Sequence, residues 1–346
     1  MKTLPGYAFF AVLLSCATAG LASDRAPVLS RSLAVTLADS PDRALRGVVK
    51  LRGDRRTVAH GQDVALAEAS AIARQHGVHL SPLFTDTTLI DRLEQRIADR
   101  QSIADLRSYW TFPTGDAPSR QWQPLIEALN ASARVDIAYL ESEDAPGALP
   151  AAVTLSKPWE AWTPSFTHLQ GYLDRAPTGI DAYSAWSRPG GIGQSITVMI
   201  YDNSVRSSHE DVPQLVHNHG GNAVGSEHGT AVLGIVGARD NGYGILGIAH
   251  KANFAFQGAA GALGSHAERL IAAGMKLGKG DVLLTEIGKK IGALGFECAC
   301  NPTQANSVPI EFYPAEFDAI TRMAARHDSL DEVTEHRLAD HVRPLV

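Results

Sequence analysis

Apolar and polar positions follow one rhythm before residue 146 and another after residue 166. In "DVALAEASAIARQHG" the apolar residues recur at helical spacing and stop at Gly77, a residue suited to the left-handed cap that ends a helix. "TLIDRLEQRIADR" predicts a second amphipathic helix, with Leu89, Leu93 and Ile97 on one face. "DLRSYWTF" alternates and carries aromatics, the pattern of a half-buried strand. "QPLIEALNAS" followed by "RVDIAYLE" predicts helix, short turn and strand. Residues 24–145 therefore predict a small α+β domain.

Pro146, Pro150, Pro158 and Pro164 then break the pattern, and residues 146–166 predict an extended connector. Beyond it, strand and helix alternate. "SITVMIY" is a continuous apolar, β-branched run, as in a strand buried on both faces of a parallel sheet. "HGTAVLGIVGA" predicts a helix of small residues, followed by a strand in "KANFAFQ" and a helix in "GSHAERLIAAGMKLG". "DVLLTEIG" predicts a further strand and "YPAEFDAITRMAARH" a further helix. Residues 167–325 thus predict an α/β domain with a doubly wound, mainly parallel sheet and its site at the carboxyl ends of the strands. Residues 326–346 are polar and charged where another buried strand is due. The sheet is expected to be incomplete, with an unpaired strand edge.

Composition adds two points. The chain has 346 residues and a net charge of -6, so there is no electrostatic case for a nucleic-acid partner. At the N-terminus, Lys2 precedes "YAFFAVLLSCATAGLA", an apolar core too short for a comfortable membrane span and followed by small residues. Residues 1–22 predict a signal peptide, cleaved after Ala19 or Ala22, and a secreted or periplasmic protein with no membrane partner once the signal is removed. An uncleaved anchor and a lipid-modified Cys16 are the alternatives. Cys298 and Cys300, only one residue apart, suit neither a relaxed disulfide nor a zinc site and read as surface-loop cysteines.

The candidate chemistry lies at Asp202, which ends the "SITVMIY" strand, and at His228, which opens the small-residue helix. A lone aspartate at such a place is often a cap or turn former, and a lone histidine at a helix start is often structural. Together they can do more. A carboxylate that accepts from one ring nitrogen sets the imidazole tautomer and leaves the other nitrogen free to take a proton.

"ITVMIYDNSVRSSHEDV", "EHGTAVLGIVGA" and "GILGIAHKANF" resemble the aspartate segment, the histidine segment and the following strand of the subtilases, the subtilisin-like serine peptidases. His228-Gly229-Thr230-Ala231-Val232-Leu233-Gly234 fits the histidine motif closely. The aspartate motif keeps its spacing from Asp202 to His209, with Ser204 in place of the usual glycine. The resemblance covers about residues 190 to 325. It implies a secreted serine endopeptidase that acts on peptide or protein substrates by an Asp-His-Ser mechanism, with Asp202 and His228 catalytic and no cofactor or metal. It also implies that residues 24–145 are a pro-domain, in contact with the catalytic domain of the same chain.

The nucleophile is missing from this pattern. Downstream of His228 stand Ser265, Ser307 and Ser329, none in the family's Gly-Thr-Ser setting, and the oxyanion asparagine segment is absent as well. The resemblance then implies a C-terminally truncated subtilase, as from a frameshift near residue 326, without turnover of its own. Two other classes stay open. One is a non-catalytic secreted peptide-binding protein, with "LLTEIG" taking peptide by strand addition. The other is a metal hydrolase built on His209, His217, His219 and His228.

Overall fold

The structure is a computed structural model, and residues 12–15, 28–40, 42, 44–53, 63–97, 104–142, 144–145, 163–220, 227–259, 264–290 and 307–325 are described. The chain opens with β1 (Val12–Ser15), α1 (Arg31–Ala38), β2 (Ala44–Leu51) and α2 (Val64–Gln75). It continues with β3 (Ser81–Pro82), α3 (Thr87–Glu94), β4 (Tyr109–Phe112), α4 (Gln123–Ala131), β5 (Val135–Ser142) and β6 (Asp144–Ala145).

Local chemistry accounts for these helices. Asp63 caps α2 by accepting the Leu66 N–H at 3.0 Å. Ala65, Ala69 and Ala73 form its buried stripe, and Gly77 ends it at φ +77°. α3 is shorter than its apolar pattern. The N–H groups of Arg96 and Ile97 close a tighter final turn on Leu93 and Glu94, and Ile97 still reaches the core.

β3, β4, β2 and β5 form an antiparallel sheet in that order. Its two faces have different covers. Val49, Leu51, Ala138 and Leu140 pack with residues of α2 and α4. Val48, Tyr109, Ile137 and Tyr139 face the second half of the chain.

That second half contains α5 (Ala182–Trp186), β7 (Thr197–Asp202), β8 (Leu215–His219), α6 (His228–Gly237), β9 (Asn253–Gly258) and α7 (His266–Gly274). β10 (Val282–Thr285), β11 (Gly288–Lys290), β12 (Ser307–Pro309) and α8 (Pro314–Ala325) follow. β10, β7, β9 and β8 form a parallel sheet in that order. Val198, Ile200, Phe254, Phe256 and Leu284 pack with Val232 and Leu233 of α6 on one face. Met199, Tyr201, Ala255 and Leu283 pack with α7 and α8 on the other. The molecule is an α/β fold with helices on both faces of a four-stranded parallel sheet, beside a smaller α+β region.

In the full chain the edge expected to be open is paired, by a strand that cleavage after Ala19 or Ala22 would remove. β1, from the apolar N-terminal segment, lies antiparallel on the outer side of β10. An exposed strand edge offers unsatisfied backbone groups, and an apolar segment able to extend can satisfy them. Of the connector, residues 163–166 are described, with Phe166 and Pro164 bonded to Gly244 through the backbone. Residues 146–162 and 326–346 lie outside the described residues.

The two halves join through α7 and α8. Tyr139 stacks on Tyr313 at 5.4 Å between ring centroids. Glu268 of α7 accepts the Thr85 and Asp86 N–H groups at 2.8 and 2.6 Å, next to the start of α3, where a negative charge is favoured. The Arg322 Nε donates to Glu94 at 2.7 Å, and Lys50 donates to Asp318 at 2.8 Å. Deepest of all, Lys289 Nζ lies 2.9 Å from Glu141 Oε1, with both side chains almost fully buried, and Arg46 reaches the other oxygen.

Removing one partner of a buried pair strands the other charge, whereas removing both does not. Lys289→Met and Glu141→Met are each expected to cost about 3–5 kcal/mol, and the double variant far less than their sum. Urea unfolding of the two single variants and the double checks this.

Candidate active site

The site begins where β7 ends. After Thr197 the strand runs through Val198, Met199, Ile200 and Tyr201, and Asp202 closes it with no exposed surface. A carboxylate there has lost its water and needs donors from the protein. The Asn203 N–H reaches Oδ1 at 2.6 Å, and His228 Nδ1 lies 2.7 Å from Oδ2. Because a carboxylate only accepts, Nδ1 carries the hydrogen, and neutral His228 leaves Nε2 as an acceptor. The imidazole keeps 14% of its surface exposed while Asp202 stays dry. Its hydrogen bond to Asp202 holds the His228 ring above its ordinary value, against the opposing effect of burial; the charges of Asp202 and Glu286 add to the rise.

α6 starts on a histidine because its next residue is glycine. A Cβ at Gly229 would stand 2.3 Å from the Ser204 carbonyl oxygen and 3.1 Å from the Asp202 Cβ, so only glycine lets the helix start meet the strand end. Ser204 is itself buried there. The Thr230 hydroxyl accepts the Arg206 N–H at 2.8 Å, tying the loop after β7 to the first turn of α6. At the far end, a Cβ on Gly237 would come 2.3 Å from the Phe254 ring, so the small residues of α6 serve its close approach to β9.

Among the described residues, no hydroxyl or thiol hydrogen-bonds to His228. Ser265 is the N-cap of α7: it is buried, and its oxygen accepts the Glu268 N–H at 3.1 Å. Ser307 opens β12 opposite Lys290. Ser329, Cys16, Cys298 and Cys300 lie outside the described residues. The four histidines of the metal reading are spread out. His209 Nδ1 accepts the Asp211 N–H, His217 and His219 stack on β8, and His228 belongs to Asp202. Among the described residues no three His, Cys, Asp or Glu side chains converge as a metal-ligand set.

One acidic group was not foreseen from the sequence. β10 pairs with β7 through Thr285 and Tyr201, and that parallel register carries the next residue, Glu286, alongside Asp202. Burial pushes the Glu286 carboxyl up to about 7; the His228 charge opposes that rise and the Asp202 charge adds to it. The available signal was the placement both acids share, a charged residue closing an apolar strand.

No protein-family model matches this chain, and no curated protein matches it.

A raised histidine value in the folded state means that the Asp202–His228 contact stabilises most at pH below 6.5 and loses that effect as pH rises through the raised value. Asp202→Asn is expected to lower the His228 ring value. Gly229→Ala is expected to lower it too, by parting the two residues, at a cost of about 1–3 kcal/mol in stability. Histidine ring NMR titrations, paired with denaturation of the glycine variant, check both. A His228 value unchanged in Asp202→Asn would contradict the pairing.

Proposed function

We propose that the described residues carry the acid–base pair of a secreted subtilisin-like serine endopeptidase. Asp202 orients and His228 is the general base of an Asp-His-Ser mechanism. The observation that carries the reading is the 2.7 Å Asp202–His228 contact at the carboxyl end of a buried parallel strand. Gly229 closes that contact in the motif the family uses. In such a mechanism Nε2 takes the proton of an attacking hydroxyl and returns it to the leaving amine, while Asp202 stabilises the imidazolium.

The first domain supports the reading of residues 24–145 as a pro-domain acting in cis. β5 leads into β6, which lies antiparallel on β11, with Ala145 opposite Gly288. A peptide substrate would bind the same edge as an added strand, so a pro-domain ending there would hold the cleft closed. The apolar N-terminal segment supports export to the periplasm or the medium, and the net charge of -6 argues against nucleic acid. Among the described residues, no helix is long and apolar enough to cross a membrane.

Without a described hydroxyl at Nε2, the 346-residue chain is proposed to hold peptide without cleaving amide bonds. The second reading, a non-catalytic secreted peptide-binding protein, is favoured by the pairing of β6 on β11.

A base with a free Nε2 should still act on an activated ester. The chain is expected to hydrolyse a p-nitrophenyl ester of a blocked amino acid about a hundredfold faster than His228→Ala at about pH 8. Asp202→Asn should be nearly as slow, and a fluorophosphonate probe should label nothing. Equal ester rates in the chain and in His228→Ala would favour the binding protein over the enzyme. Robust fluorophosphonate labelling would reveal an activated serine and refute binding without cleavage.

A further inference from the structure

We infer that Glu286 is the specificity-determining residue of this site, and that its carboxylate recognises the ammonium or guanidinium group of a lysine or arginine side chain in a bound peptide. The inference rests on the reading of Asp202 and His228 as a base beside a peptide-binding strand.

Position comes first. The β10–β7 register sets Glu286 alongside Asp202, at the rim where His228 also stands. β11 begins at Gly288, just beyond it, and already carries an antiparallel strand in β6. With β12 on the other side of β11, a peptide that took the place of β6 and reached toward His228 would pass Glu286.

Partnership comes second. Glu286 is half-buried, and no described residue hydrogen-bonds or ion-pairs with it. Among the described residues, two cations of the neighbouring segments are engaged elsewhere. Lys289, further along the same segment, points to Glu141, and Arg206, beside the start of α6, pairs with Glu227. Charge comes third. Asp202 and His228 are the charged groups that act on Glu286, so with His228 neutral no described cation balances the two carboxyl groups. A half-buried carboxyl in that field takes either a proton or an external cation. Its value near 7 reflects this choice in the free protein. A lysine or arginine side chain supplies the cation, donating charge-assisted hydrogen bonds that a neutral side chain cannot make.

The probe is p-aminobenzamidine, with neutral 4-methylbenzamide as its control, titrated against the full chain at about pH 5.5, 7 and 8.5 by fluorescence and calorimetry. The amidine stays cationic throughout, so affinity should rise about tenfold as Glu286 ionises across pH 7. His228 loses positive charge over part of that range and acts in the same direction, so the variant isolates Glu286. Glu286→Gln should bind the amidine about ten- to a hundredfold more weakly at pH 8.5 and lose most of the pH dependence. Unchanged affinity in Glu286→Gln, or equal affinity for the amide, would overturn the inference. If Glu286→Gln does not fold, the amidine-to-amide comparison in the unaltered chain decides. A histidine titration on the same samples separates the two claims. A His228 value that is not raised defeats the dyad reading; a raised value with amidine binding indifferent to Glu286 defeats this inference alone.

Discussion

A carboxylate buried without solvent contact must find its hydrogen bonds inside the protein, and at Asp202 that requirement organises the site. Its two donors are the next backbone N–H and the ring of His228, so the first residue of α6 must lie against the last residue of β7. That approach leaves no room for a side chain at Gly229. The hydrogen bond that satisfies Asp202 also sets the His228 tautomer and raises its proton affinity, against the opposing effect of burial. Structural need and chemical capability share one hydrogen bond.

The contact between the halves follows the same logic on a larger scale. The four-stranded sheet of the first region covers one face with its own helices and offers the other to α7 and α8. Across that face lie Lys289 with Glu141, Arg322 with Glu94, Lys50 with Asp318, and Glu268 beside α3. Buried ion pairs add little net stability, because desolvation offsets their attraction, but a misaligned one is costly. Their value here is in setting one orientation. That orientation brings β6 onto β11, next to the rim that holds Asp202, His228 and Glu286.

Much of this was legible from residue order. The alanine stripe of α2, the apolar run of β7 and the small-residue helix α6 each satisfy a local period and a local cap, and they form where the pattern puts them. Asp202 and His228 were legible because each closes or opens such an element. α3 ended early because its last turn tightened, a choice among nearly equal backbone hydrogen bonds that apolar spacing does not encode. Ser265 belonged to a helical pattern in the sequence, but its role as a cap depends on where the helix starts. Glu286 carries no motif, and its meaning comes from the strand beside it.

By itself, then, the sequence determined α2 to α4, β4, β5, β7, β9, β10 and α6 to α8, though not α1, β2, α5 or β8, and with them the two residues able to form a base, because periodicity, caps and small residues act over a few neighbouring positions. Only the tertiary structure decided that β6 lies on β11, that β1 pairs with the edge of β10, and that Glu286 shares its rim with Asp202. Those outcomes depend on strand register and on which charges meet across an interface. Both are set by contacts between residues far apart in the chain, whose burial is known only once the whole is folded.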